Sequence, residues 1–106
     1  VPSPLGDKIR ILRKEKKLSL EQLAELTDSS KSYMWELENR DAPNPSVEKM
    51  ARIAAALGVT SEFLLNASES TPDARVTDQA FFRKYQTMPE GTKKQIRKIL
   101  DGWEDE

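Results

Sequence analysis

Neither cysteine nor histidine occurs anywhere in the 106 residues. Their absence removes the usual zinc and iron ligands, the thiolate nucleophile and the imidazole general base. It also removes disulfides, which fits a reducing compartment. The four glycines are scattered and form no phosphate-cradling loop. No apolar run approaches the roughly 20 residues that a membrane span requires. The first residues, VPSPLGDK, lack the apolar segment of a secretory signal, so none is expected. With no pairing of nucleophile and base and no set of metal ligands, the sequence predicts no catalytic residue, metal site or cofactor. The expectation is a soluble, cytoplasmic protein that is not an enzyme.

What remains is 37% hydrophobic and 33% charged. That suffices for one small core plus an appendage. The net charge is −1, but the charge is unevenly placed. Residues 8–17, KIRILRKEKK, hold six basic residues and one acid, whereas the last six, DGWEDE, are acidic. A charge run is most often a solvated helix face. This one adjoins a segment whose pattern gives it a second reading, contact with phosphates.

That segment is 18–40, LSLEQLAELTDSSKSYMWELENR. Ser19 is a good helix cap, and Gln22 stands where its capping-box partner belongs. Leu20, Leu23, Ala24 and Thr27 follow on one face at helical spacing. Asp28, Ser29 and Ser30 interrupt the pattern, since all three compete for backbone hydrogen bonds and favour turns and caps. A second helix follows, with Met34 and Leu37 inward and Lys31, Ser32, Trp35, Glu36 and Asn39 pointing elsewhere. Two short helices joined by a small polar turn are the arrangement that lays a helix in a DNA major groove. The same pattern also occurs in all-α proteins that bind nothing.

The rest of the chain supplies supporting helices. A first helix is predicted from Leu5 to Lys17, buried along Leu5, Ile9 and Leu12, after a frayed Val1–Pro4. Asp41-Ala42-Pro43-Asn44-Pro45 is a loop, because each proline lacks an N–H and restricts its predecessor. Ser46 caps a fourth helix with Val47, Met50, Ala51, Ala54 and Leu57 as its core face and Ile53 beside them. Gly58 stops it in the left-handed conformation. Thr60 or Ser61 caps a short fifth helix whose Phe63, Leu64 and Leu65 close the core. Polar residues 66–77 read as a linker. Asp78 is then predicted to cap a helix carrying Phe81, Phe82 and Tyr85. Thr87 and Glu90 have capping-box spacing before a last helix from Pro89 to Trp103, striped by Ile96, Ile99, Leu100 and Trp103. A tail of about 30 residues cannot bury a core of its own. Its stripe must pack on the head, on a second copy, or on another protein.

The pieces from Leu5 to Asn66 together resemble the XRE, or Cro/CI-type, helix-turn-helix family. They are the I-R-x-L-R-x-x-K run, LSLEQLAELT, the S-x-S-Y-M-x-x-L-E-N-R helix, PSVEKMARIAAALGV and the final F-L-L. The resemblance implies an all-α, five-helix lambda-repressor-like domain over residues 1–66. A linker over 67–77 and a C-terminal helical tail over 78–106 would complete the chain. It implies a sequence-specific regulator, a repressor acting as a homodimer on palindromic double-stranded DNA. Lys31, Ser32, Trp35 and Glu36 fall at base-facing positions. Ser29 and Ser30, at the start of the recognition helix, fall near phosphates with Asn39, Arg40 and Asn44. Arg10, Lys14 and Lys17 add positive charge there. Arg13 and Glu38 match a pair that commonly joins the first and third helices. Asp28 stands where many members have glycine, and Trp35 is bulky for its position.

Chemistry agrees with these roles. Lysine donates to guanine acceptors, serine to several bases, and glutamate accepts from the cytosine amino group. One short helix reads few base pairs, so two copies about 34 Å apart are expected. The surface joining them is either the fifth helix with Phe63 or the C-terminal stripe. The tail, FFRKYQTMPEGTKKQIRKILDGW, is similar to the ends of XRE regulators encoded beside a zinc-peptidase-like protein. That similarity implies a peptidase-like or toxin partner. In the alternative reading the chain is a protein-interaction or antitoxin-like module that works through these helices.

Overall fold

The computed structural model describes residues 3–66, 68, 69 and 71–103. Seven helices and no strand occur among them: α1 (Pro4–Glu15), α2 (Leu20–Leu26), α3 (Lys31–Asn39), α4 (Val47–Leu57), α5 (Ser61–Leu65), α6 (Ala74–Gln86) and α7 (Glu90–Asp101). Helices α1 to α5 enclose one core. Ile9, Leu23, Met34, Leu37, Ile53, Leu57 and Leu64 are almost wholly buried in it. Each such side chain contributes about 1.5–3 kcal/mol through burial.

The helix starts follow from short polar caps. Ser19 and Gln22 form a complete capping box on α2. Ser30, Ser46 and Thr60 cap α3, α4 and α5 through their hydroxyl oxygens. At α1 the described chain is ordered earlier than the frayed start that two prolines suggest. Ser3 accepts from the Gly6 amide at 3.0 Å, and Pro4 occupies the first turn, where its missing N–H costs nothing. Val1 and Pro2 lie outside the described residues.

Three helices end the same way, with one left-handed residue and a pair of backbone bonds reaching back. Gly58 does this for α4 at φ 72°, as its lack of a Cβ predicts. Asp28 does it for α2 at φ 54°. Lys17 does it for α1 at φ 58°, with Leu18 N–H donating to the Arg13 carbonyl at 3.1 Å. The first helix therefore stops at Glu15 and not at Lys17. A lysine gives no sequence signal for this ending, because the left-handed region disfavours it by about 1 kcal/mol.

Several other expectations are corrected. Val47, the first residue of α4, is 87% exposed, and Ala51 is also exposed. Helical spacing puts both on the stripe, but the stripe extends past the edge of the core. Leu65 is exposed at the end of α5, and Leu20 is only half-buried. Helix α6 is capped by Asp73, not Asp78, so residues 74–77 of the expected linker are helical. The earlier start brings Val76 and Ala80 down onto the head, while Phe81 and Phe82 stay exposed. Thr87 makes no capping box. Its hydroxyl donates back to the Lys84 carbonyl at 2.8 Å, closing α6, and α7 has no side-chain cap.

Two residues set how the head closes. At Gly6 any Cβ would collide with the Leu37 and Glu38 carbonyls, so glycine lets α1 press against the end of α3. Lys8, expected on the basic face, is buried instead. Its ammonium donates to the Phe63 carbonyl at 2.7 Å and to the Asn66 carbonyl, and lies 4.3 Å from the Phe63 ring centre. Both carbonyls lie at the end of α5, where a cation is favoured. Burial pushes the Lys8 pKa down, with the charge of Glu69 opposing it.

Candidate nucleic-acid interface

Helix α3 meets the head along Met34, Leu37 and Glu38, which are buried. Its opposite face carries Lys31, Ser32, Trp35 and Glu36, all exposed. At its leading end Ser30 accepts from the Tyr33 amide at 3.0 Å, satisfying one amide of the first turn. Lys31 reaches Glu21 of α2 at 3.2 Å, but both side chains are largely in solvent. A pair of that kind is worth little, so the ammonium is available to a stronger acceptor. The Arg40 guanidinium lies over the Trp35 ring, 5.5 Å from its centre. The Asn39 side-chain amide donates to the Trp35 carbonyl at 2.9 Å.

The face is held from behind by Arg13 and Glu38. Arg13 Nε and Nη2 donate to the two carboxylate oxygens of Glu38 at 2.7 and 3.0 Å. Nη1 donates to the Leu18 carbonyl at 2.9 Å. Glu38 is 1% exposed, and the two-pronged geometry compensates the cost of burying its charge. The hydrogen bonds that Arg13 donates to Glu38 hold its pKa above the ordinary value. Arg13 is thus committed inside the head through three of its N–H donors.

The remaining basic candidates are on α1 and its exit. Lys14 and Lys17 are exposed, and Arg10 pairs with Asp7 at 2.9 Å one turn away. Arg40, at the end of α3, and Asn44, in the loop that follows, are exposed. The Ser29 hydroxyl faces inward: it donates to the Thr27 carbonyl at 3.2 Å and accepts from Thr27 Oγ1 at 3.1 Å. It also accepts from Lys49 Nζ at 2.8 Å. Lys49, on the first turn of α4, was not foreseen. Its partners lie 20 to 22 residues away, and no periodicity or capping rule connects them.

The tail presents a second surface. Helix α7 has no buried residue, and Trp103 is 73% exposed beside Ile99 and Leu100. Arg83 of α6 grips Glu62 of α5 at 2.8 and 3.1 Å, which fastens that helix to the head. Phe63, a candidate for the dimer surface, is buried and offers no face. Among the described residues no cluster could hold a metal, and no helix is long and apolar enough to cross a membrane.

Comparison with known proteins gives this geometry a context. A family described as a helix-turn-helix domain matches residues 4–66. The HTH-type transcriptional regulator SinR of Bacillus licheniformis is 34% identical over 99 residues, covering 92% of this chain and 89% of its own length. A crystal structure of SinR, the master regulator for biofilm formation, in complex with DNA superposes with a TM-score of 0.56 at 37% identity. It covers 58% of this chain and 98% of that one. A SinR protein/SinI protein complex superposes with a TM-score of 0.58 at 32% identity, over 92% of this chain and 91% of that one. The family match spans more than half the sequence and the SinR likeness runs through the tail, so this chain belongs to the XRE-type helix-turn-helix transcriptional regulators, which are not enzymes.

Proposed function

We propose that this protein is a repressor that binds double-stranded DNA by laying the leading end of α3 in the major groove. The observation that carries the reading is the exposed row Lys31, Ser32, Trp35 and Glu36 on a helix whose other face is locked into the core. Lys31 and Ser32 read base edges, Glu36 accepts from a cytosine amino group, and Trp35 contacts a thymine methyl or a sugar. Ser30, Asn39, Arg40, Asn44, Arg10, Lys14 and Lys17 border the phosphates, whereas Ser29, whose hydroxyl is bound to Thr27 and Lys49, does not. The SinR–DNA complex supports this: 98% of that chain superposes on 58% of this one, at 37% identity. DNA as the ligand implies a cytoplasmic site of action.

Two copies act on a palindromic operator, joined by the C-terminal stripe. With Phe63 buried, the exposed apolar residues of α6 and α7 are the stronger candidate for that contact. The same stripe is the surface for a regulatory protein partner. SinR's complex with SinI covers nearly the whole of this chain and favours a partner of that kind. A zinc-peptidase-like partner is supported only by the tail sequence.

The test is a selection from random 30-base-pair duplexes with the full chain. The winning duplex and a scrambled one are then compared for wild type and Lys31→Ala. The expected loss for Lys31→Ala is about 1–3 kcal/mol on the selected duplex, with little change on the scrambled one. Equal affinities for both duplexes with both proteins would refute the reading.

A further inference from the structure

The turn between α2 and α3 contains an ammonium group that belongs to neither helix. Lys49 Nζ lies 2.9 Å from the Thr27 carbonyl, 2.9 Å from the Asp28 carbonyl and 2.8 Å from Ser29 Oγ. A lysine ammonium has three protons, and these three acceptors use all of them. Two of the acceptors are carbonyls at the C-terminal end of α2, where the helix dipole favours a cation. The third stands one residue before Ser30, the cap of the recognition helix. The turn needs such a brace, because it runs through Asp28 in a conformation that L-residues rarely adopt. Lys49 is itself well anchored: its backbone amide donates to Ser46 Oγ at 3.1 Å. Arg52, one turn further along α4, reaches the Asp28 carboxylate at 3.6 Å as a second, exposed tie.

We infer that Lys49 is a positioning residue for DNA recognition, fixing the angle at which α3 leaves the turn, and that it makes no phosphate contact of its own. The basis is geometric. Only a tripod donor can hold Thr27, Asp28 and Ser29 at one point, and Ser29 is followed directly by the cap and the first base-facing residues. Loosening that point lets the leading end of α3 swing, while Met34 and Leu37 keep its trailing end in the core. Base contacts depend on angle. Phosphate attraction depends mainly on charge and distance. The two properties therefore separate in a variant that keeps the lysine stem and loses the protons.

This inference rests on the DNA-binding reading, and the experiment distinguishes the two. The full chain is compared with Lys49→Met on the selected and scrambled duplexes described above, well below the melting temperature of both proteins. The expected result is a preference for the selected duplex lower by about tenfold, the scale of one lost base contact. The slope of log affinity against log salt on the scrambled duplex is expected to stay the same. A slope lower by about one unit would make Lys49 a phosphate ligand and overturn the inference. An unchanged preference together with a lower melting temperature would make it structural only, and would also overturn it. If Lys49→Met does not fold, Lys49→Arg keeps the charge but replaces the tripod with a planar fork. Reduced preference at unchanged slope is again expected, and full preference would refute the role. Wild-type protein without any preference would defeat the DNA reading first.

Discussion

Between Ser3 and Asn66 every helix hides a face, down to the five residues of α5, which bury Phe63 and Leu64. Beyond Pro72 the balance reverses. Helix α6 buries only Val76 and Ala80, and α7 buries nothing. The head also closes its polar groups internally: Lys8, Arg13, Glu38, Thr27 and Lys49 all find partners there. In the tail the apolar residues Phe81, Phe82, Ile99, Leu100 and Trp103 face solvent instead. A self-sufficient head can offer a rigid recognition helix. The tail leaves those apolar residues uncovered within one copy.

The largest effect should come from breaking the head. Arg13→Met leaves Glu38 as a buried carboxylate without its guanidinium, and unfolding free energy should fall by about 3–5 kcal/mol in a denaturant titration. A loss below about 1 kcal/mol would mean that the pair is not what holds α1 to α3. Leu100→Asp is the matching change in the tail. It should convert dimer to monomer in analytical ultracentrifugation while shifting the melting temperature by no more than about 2 °C, because the side chain is exposed within one copy. A dimer that survives would move the contact elsewhere. Lys14→Ala should weaken binding to any duplex several-fold and lower the salt slope by about one unit without altering sequence preference. A slope identical to wild type would remove Lys14 from the phosphate contacts.

The smallest effect concerns the join between the two regions. The hydrogen bonds from Arg83 hold the Glu62 carboxyl down to about 2, against an ordinary 4.5. A depressed carboxylate pKa gives stability that is complete above the unfolded value and is lost as pH falls toward the folded one. The Arg83–Glu62 tie should therefore weaken between about pH 4.5 and 2. Both groups are exposed, so the change should be slight. It should appear as faster amide exchange in α6 with the head core unaffected, and Glu62→Gln should abolish that pH dependence.

Much of the head was legible because its signals are local. Ser19 with Gln22, Ser46, Thr60 and Gly58 mark helix ends through rules that span four residues or fewer. Stripes such as Leu5, Ile9 and Leu12 need only helical spacing. Signals failed where the decision lay elsewhere in space. Val47 satisfies the spacing of α4 but overhangs the core. Asp78 reads as a cap, but the helix starts after Asp73, where Val76 and Ala80 meet the head. Lys17 ends α1 with no glycine to announce it. The exposed row on α3 could be read from periodicity, and the Arg13–Glu38 pair from family resemblance. The brace from Lys49 could be read from neither, since it joins residues 20 or more apart through one side chain.

The most direct measurement is an NMR titration of the isotopically labelled full chain with its selected duplex, following every backbone amide. Contact through the recognition helix predicts the largest shifts at residues 29–36, with smaller ones at Lys14, Lys17, Arg40 and Asn44 and almost none in α7. Shifts concentrated in α6 and α7, with residues 29–36 unmoved, would contradict it.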